Sequence, residues 1–326
     1  MKHVIVTGGT GVTGTALVRY LLSEEIYVTA LIRKGSKRKR YLPLGEPKLT
    51  VLEYGMEQYE ILDRDVLTEE YDVFFHLAWE GSTGKEKTDN RNNMKLQNSN
   101  VARAVEAVEL CRRLHCPVFL ETGSQAEYGR VEGLIDETTD QKPENGYGAA
   151  KVCARRMTSI LCGIYGIRHI WAQLFSIYGP FDGTHSMIYT GILKLLCNER
   201  QKYTKGEQIW DYLYSFDAAK ALKLLAEHGE SGEIYCVANG KQARIRDYIE
   251  IMHRIVNPAI VPVFGELPYA KQQVMSMCPD ITKLKNATGF TPQYSFEQGI
   301  QEIYKWSLQE KEALAEHLSE FVQGEE

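Results

Sequence analysis

The 326-residue sequence predicts an α/β fold, a doubly wound parallel sheet with helices on both faces and a smaller mixed region after it. Three observations carry that expectation. Short runs that are apolar throughout alternate with longer segments apolar on one helical face, as strands buried on both sides require. The first run, in KHVIVTGGTGVTG, stops on four of the 27 glycines and passes directly into a helical pattern. The alternation then holds to about residue 176 and loosens beyond it.

In order, residues 2–7 read as a buried strand and Val12–Ser23 as a helix with Leu17, Val18, Leu21 and Leu22 on one face. A second strand is expected at Tyr27–Ile32, followed by a basic loop from Arg33 to Arg40. Further strands are expected at Lys48–Glu53, Asp72–Leu77, Pro117–Thr122 and Arg168–Phe175. Helices are expected over Thr88–Leu114 and from Tyr147 onward. Later come helical segments at Ser186–Glu199, Phe216–His228 and Arg244–Val256, a strand at Glu233–Ala238, and a short capped helix from Asp280 to Gly289. The last dozen residues are acidic and expected to fray. We expect residues 1–175 to form one domain, with a segment near 207–240 returning to it, and 176–326 to form most of a second.

Composition narrows the class. Hydrophobic residues at 44% and charged residues at 25% are ordinary for a soluble globular enzyme. A net charge of −5 gives no footprint for nucleic acid, despite the basic loop. No apolar stretch reaches membrane-spanning length and no signal-peptide pattern opens the chain, so a cytoplasmic location is expected. The seven cysteines are scattered without a CxxC pair, so neither a disulfide framework nor a metal site is expected. Cys153 and Cys162 fall in helical patterns and are expected to be buried thiols.

Gly8, Gly11 and Gly14 form GxxGxxG after a strand and at the opening of a helix. There the first glycine permits a tight turn, the second lets a pyrophosphate approach the backbone, and the third lets the helix pack on its strand. The helix N-terminus adds unpaired N–H groups for the phosphates. Thr10, Val12 and Thr13 belong to the same turn, which is the opening of a Rossmann-type dinucleotide fold. A purely structural glycine turn is the alternative. A P-loop is excluded because no Lys-Ser or Lys-Thr follows. An acidic residue at the tip of the second strand would select NAD(H). Ile32 and Arg33 stand there, and a guanidinium can pair with a 2′-phosphate, so NADP(H) is favoured and NAD(H) left open.

Tyr147 is the only one of 19 tyrosines with lysine four residues on, at Lys151, which puts both on one helix face. Ser124 lies at the C-terminal end of a strand, where open α/β sheets bind ligands. TGGTGVTG, HLAW at 76–79, GSQAEYG at 123–129, YGAAK at 147–151, SIYGP at 176–180 and DYLYSFDAA at 211–219 occur in an order that resembles the extended short-chain dehydrogenase/reductases acting on nucleotide sugars. The resemblance runs from residue 3 to about residue 306.

It implies a nucleotide-sugar substrate and a catalytic trio of Ser124, Tyr147 and Lys151. Lys151 would also hydrogen-bond the nicotinamide ribose, and Leu77, Ala78, Trp79, Ser99 and Phe175 would line the cofactor cleft. A homodimer through the Thr88–Leu114 and Tyr147 helices is also implied. Bringing a phenol from its ordinary pKa near 10 to about 7 takes roughly 4 kcal/mol. The Lys151 ammonium together with an oxidised nicotinamide is expected to supply it. Tyr147 would then exchange a proton with a sugar oxygen held by Ser124.

Dehydratases of this kind carry Asp-Glu after the residue matching Ser124; here Gln125 and Ala126 stand there, and Glu127 is expected to face elsewhere. The Arg33 tip and the EYG ending resemble reductases of 4-keto-6-deoxy nucleotide sugars, with a 4-epimerase holding NAD as the alternative. A non-catalytic NADP(H) sensor is a third reading. Gln173, Ser176 and Trp210 replace residues that usually clasp the diphosphate, leaving Gln125, Ser176 and Lys271 as candidate substrate contacts.

Overall fold

The computed structural model describes residues 1–82, 87–183 and 186–310. Among them one sheet of seven parallel strands dominates: β1 His3–Thr7, β2 Tyr27–Leu31, β3 Leu49–Leu52, β4 Val73–His76, β5 Val118–Ser124, β6 Arg168–Leu174 and β7 Ile234–Val237. Their spatial order is β3-β2-β1-β4-β5-β6-β7. The chain winds from β1 out to β3, then returns to the other side of β1 with β4. At that reversal the strand ends part and leave a crevice.

Successive residues of β1 point into opposite layers. Val4 and Val6 join a core with α1 (Val12–Ser23) and α6 (Ser215–His228); Ile5 joins Phe74 and Phe119 under α3 (Met94–Arg113). All three β1 side chains are fully buried, so both faces of the sheet are covered. Helix α4 (Gly146–Tyr165) packs along α3 on the second face.

The stretch expected as one helix from Thr88 to Leu114 is two, α2 (Lys87–Asn92) and α3. Asn93 separates them and caps the second, its side-chain oxygen accepting the Leu96 N–H at 3.2 Å. Asn145 caps α4 in the same way through the Gly148 N–H, and Gly166 ends it at φ +69°. Cys153 is exposed on α4, correcting the expectation of a buried thiol; Cys162 is fully buried.

The remaining helices are α5 (Met187–Leu196), α7 (Ile245–Val256), α8 (Thr282–Thr288) and α9 (Phe296–Gln309), the last not anticipated from the sequence. Ile192, Met252, Ile303 and Trp306 pack α5, α7 and α9 into a separate apolar cluster. Two buried aspartates tie this region together. Asp211 accepts the backbone N–H groups of Asn239, Gly240 and Lys241, and Asp217 those of Gln293 and Tyr294. Among the described residues no helix is long and apolar enough to cross a membrane. The expected fraying of the final dozen residues lies outside the described residues.

Candidate active site

A cleft of about 640 Å³ opens at the reversal between β1 and β4. Its floor is the glycine turn. Gly8 has φ +68°, and a Cβ there would stand 2.7 Å from the backbone at Leu77 and Ala78, so the end of β4 leaves no room for a side chain. At Gly14 a Cβ would fall 2.1 Å from the Gly8 carbonyl, which is how closely α1 packs on its own turn. Gly11 differs. It is exposed, and a Cβ would meet protein only at an ordinary 3.5 Å. Its bareness therefore serves the space in front of it. No side chain caps the start of α1, so its N–H groups face the same space, which fits the pyrophosphate of a dinucleotide.

Thr10, Val12 and Thr13 line the cleft, as do Leu77, Ala78 and Trp79 from the end of β4. Arg33 lines it from the tip of β2 and is exposed. Arg38 also lines it but is structurally engaged, its guanidinium donating to the Thr10 carbonyl at 2.7 Å and to the Phe181 carbonyl.

The opposite wall carries Ser124, Tyr147 and Lys151. Ser124 ends β5, and Tyr147 sits in the first turn of α4, held by the Asn145 cap. The Tyr147 ring meets Trp79 edge to face with centroids 6.0 Å apart. Burial pushes its pKa up, opposed by a hydrogen bond from Ser124 and by the positive charge of Arg91, whose guanidinium lies 5.1 Å from the ring centre. The expectation that Lys151 supplies that charge is corrected. Its Nζ donates to the Thr122 carbonyl at 2.7 Å and lies 3.8 Å from the centre of the Trp79 ring, while Arg91 is the cation that acts on the phenol. Burial lowers the pKa of this ammonium.

Gln125 and Ser176 line the cleft with Trp210 and share a hydrogen-bond chain. The Trp210 indole N–H donates to Ser176 Oγ at 2.8 Å, and Ser176 donates to Gln125 Oε1 at 3.0 Å. Ser176 holds φ +33°, a conformation costly for a residue with a Cβ. Gln173 is fully buried and accepts the Tyr128 hydroxyl, so it contributes nothing to the cleft. Glu127 also turns inward, away from the cleft.

Three expected residues stand elsewhere. Ser99 does not reach the cleft because Gln97 and Asn100, buried on the same helix, take the contacts to Trp79 and Glu80. Phe175 is wholly in the core, stacked on Tyr128. Lys271 is exposed on a turn, and Val274 and Met277 of that segment line the cleft instead. The sequence reading missed Arg91, Gln97 and Asn100. The last two carried a signal, since polar residues three apart interrupt an apolar helix face.

Residues 4–238 match the NAD dependent epimerase/dehydratase family. The chain belongs to that family, among the extended short-chain dehydrogenase/reductase enzymes. Its relatives include a probable dTDP-glucose 4,6-dehydratase of Sinorhizobium fredii, 26% identical over 94% of this chain and 93% of the relative. The dTDP-glucose 4,6-dehydratase of Salmonella typhimurium is 24% identical, over 94% of this chain and 92% of its own. Among solved structures, a UDP-N-acetylglucosamine 4-epimerase from Methanobrevibacter ruminantium superposes with a TM-score of 0.84 at 23% identity, covering 95% of this chain and 99% of that one.

Proposed function

We propose that this family member is an NADP(H)-dependent reductase of a 4-keto-6-deoxy sugar nucleotide, acting in the cytoplasm. The observation that supports it best is the character of the wall around Tyr147. The phenol is protonated, the state a proton donor needs, with burial raising its pKa further, and neither of the two residues immediately after Ser124 is a carboxylate. In this reading Gly8, Thr10, Gly11, Val12, Thr13 and Gly14 hold the dinucleotide phosphates, and Arg33 pairs with a 2′-phosphate. Leu77, Ala78 and Trp79 form the wall beside the nicotinamide, and Lys151 holds its ribose. The bound cofactor supplies the hydride.

Ser124 orients the substrate carbonyl, and Tyr147 delivers its proton to that oxygen as negative charge develops. The Arg91 cation beside the ring stabilises the phenolate left behind. Gln125 presents an amide where a dehydratase needs acids for C5 and C6, which is why we read carbonyl reduction rather than loss of water. Residues 1–175 with the returning 207–240 segment carry the cofactor, and most of 176–326 the sugar.

A second reading, a 4-epimerase with tightly held NAD, draws on one observation: Ser124, Tyr147 and Lys151 line the same cleft, and reversible proton exchange at a single hydroxyl calls for no further acid or base. Denaturing the purified protein and identifying released nucleotide by mass spectrometry separates the two. Stoichiometric NAD favours epimerisation, and an empty or substoichiometric site that accepts NADPH favours the reductase. We also propose a homodimer through α3 and α4, because Met157, Ile160 and Ile164 form a stripe on α4 that is 46%, 66% and 70% exposed. Ile160→Glu is expected to yield a monomer in analytical ultracentrifugation; a monomeric wild type overturns the proposal.

A further inference from the structure

Behind the wall of Ser124 and Lys151 lies a buried charge cluster that the steps above leave unused. Glu121 in β5 and Glu127 in the turn after it are fully enclosed, and Lys151 is 3% exposed. One Glu121 oxygen, Oε2, accepts the Thr158 hydroxyl at 3.1 Å, while Oε1 has no hydrogen-bond partner. Glu127 Oε1 accepts the Ser124 N–H at 2.7 Å, and Oε2 accepts the Gln141 amide at 3.1 Å. Gln141 in turn accepts a 2.8 Å bond from Arg155. Space for this arrangement exists because residue 123 is glycine: a Cβ there would fall 2.2 Å from the Trp171 indole nitrogen and 2.6 Å from Glu127 Oε1.

An isolated carboxylate in such a place costs several kcal/mol, so two of them require compensation. The groups facing them are few. From β4 comes His76 and from β6 His169, both held neutral by burial, with pKa values lowered to about 3 and about 4. From α4 come Tyr147, Lys151, Arg155 and Cys162, the last a thiol pushed up by burial and by Glu121, and from the turn after β5 comes Tyr128; both phenols are raised by burial and further by Glu127. The cations available are thus Lys151, whose ammonium bonds the carbonyl of the residue after Glu121, and Arg155, linked to Glu127 through Gln141.

We propose that Glu121 and Glu127 are positioning residues for the catalytic wall: together they hold Lys151 as an ammonium ion, and Glu127 fixes the backbone of Ser124. The proposal rests on the reading of Ser124 and Lys151 as site residues. Burial drives the lysine toward its neutral form, and each carboxylate opposes that drift. Removing one negative charge lets Lys151 lose its proton at a lower pH.

The test is a direct titration of Lys151 in the full-length protein. Lysine Cε is labelled with carbon-13, the Lys151 signal is assigned by its absence in Lys151→Met, and its midpoint is followed by NMR. Glu121→Gln and Glu127→Gln, each keeping the side-chain shape, are expected to lower the midpoint by about one pH unit or more. A midpoint unchanged from wild type in both overturns the proposal, and if one variant fails to fold the other decides. NADPH fluorescence titrations on the same samples keep the two ideas apart. A shifted lysine in a protein that binds no nucleotide supports the coupling and removes the functional reading; an unmoved lysine overturns the coupling whatever is bound.

Discussion

The two walls of the cleft are built from different materials. The cofactor side is backbone: a turn at positive φ, a helix start without a side-chain cap, and four glycines within seven residues of chain. The opposite side is made of side chains from separate elements, with Gln125, Ser176 and Trp210 joined by hydrogen bonds across up to 85 residues of sequence. Geometry that a backbone imposes tolerates few residue types, so it is written locally. Geometry that side chains impose depends on which distant segments meet, and many residue types satisfy it.

The largest expected effect breaks the chemical wall. Tyr147→Phe should fold normally and lose about a thousandfold or more in turnover. Activity within about tenfold of wild type, measured with NADPH and a 4-keto sugar nucleotide, would remove the phenol from the mechanism.

Next come two substitutions that divide the backbone wall. Gly14→Ala forces a Cβ onto the Gly8 carbonyl, so thermal stability and nucleotide binding should fall together. Gly11→Ala meets only an ordinary contact, so the melting temperature should hold while nucleotide affinity drops about tenfold or more, by calorimetry. Equal losses of stability in both would show that Gly11 serves packing. Smaller again, Arg33→Ala should cost NADPH about tenfold in affinity relative to NADH, about 1.4 kcal/mol; an unchanged ratio excludes a role in the 2′-phosphate.

Glu121→Gln sharpens the contrast through pH. Burial raises the Glu121 carboxyl in the folded state, so its contribution to stability is full below the unfolded value and is lost as pH rises through the raised one. The buried neutral His76 and His169 act with the opposite sign and are common to both proteins, so the readout is the difference: in chemical unfolding, wild type should lose stability relative to the glutamine variant as pH rises from about 4.5 to about 7. Parallel profiles would contradict the placement of that charge. The smallest effect is Ser176→Gly, which relieves a positive φ worth about 1 kcal/mol or more while deleting both side-chain bonds. Stability should change little, and the substrate KM should rise several-fold.

Legibility follows the same division. The strand runs, the glycine turn and the positions of Ser124, Tyr147 and Lys151 on one wall could be anticipated because each depends on local pattern or on a short motif. The break at Asn93 was hidden inside a continuous helical pattern, although an asparagine is a sound cap. Arg91, the cation over the Tyr147 ring, left no local trace, since its role exists only once α2 packs beside α4. Lys151 kept its expected neighbourhood but not its expected partner, because the Thr122 carbonyl and the Trp79 face compete for its charge.

The late arrival of β7 has a consequence for how the chain is made. Strand β6 ends at Leu174, but its outer neighbour is Ile234–Val237, about sixty residues later. Until that segment leaves the ribosome, the apolar Ile170-Trp171-Ala172 run presents unpaired N–H and C=O groups along a bare edge. A nascent or proteolytically clipped fragment ending near residue 175 would carry the whole glycine turn and trio, yet offer that edge to other chains. Such a truncation should aggregate, and one extended past Val237 with its α6 should stay soluble.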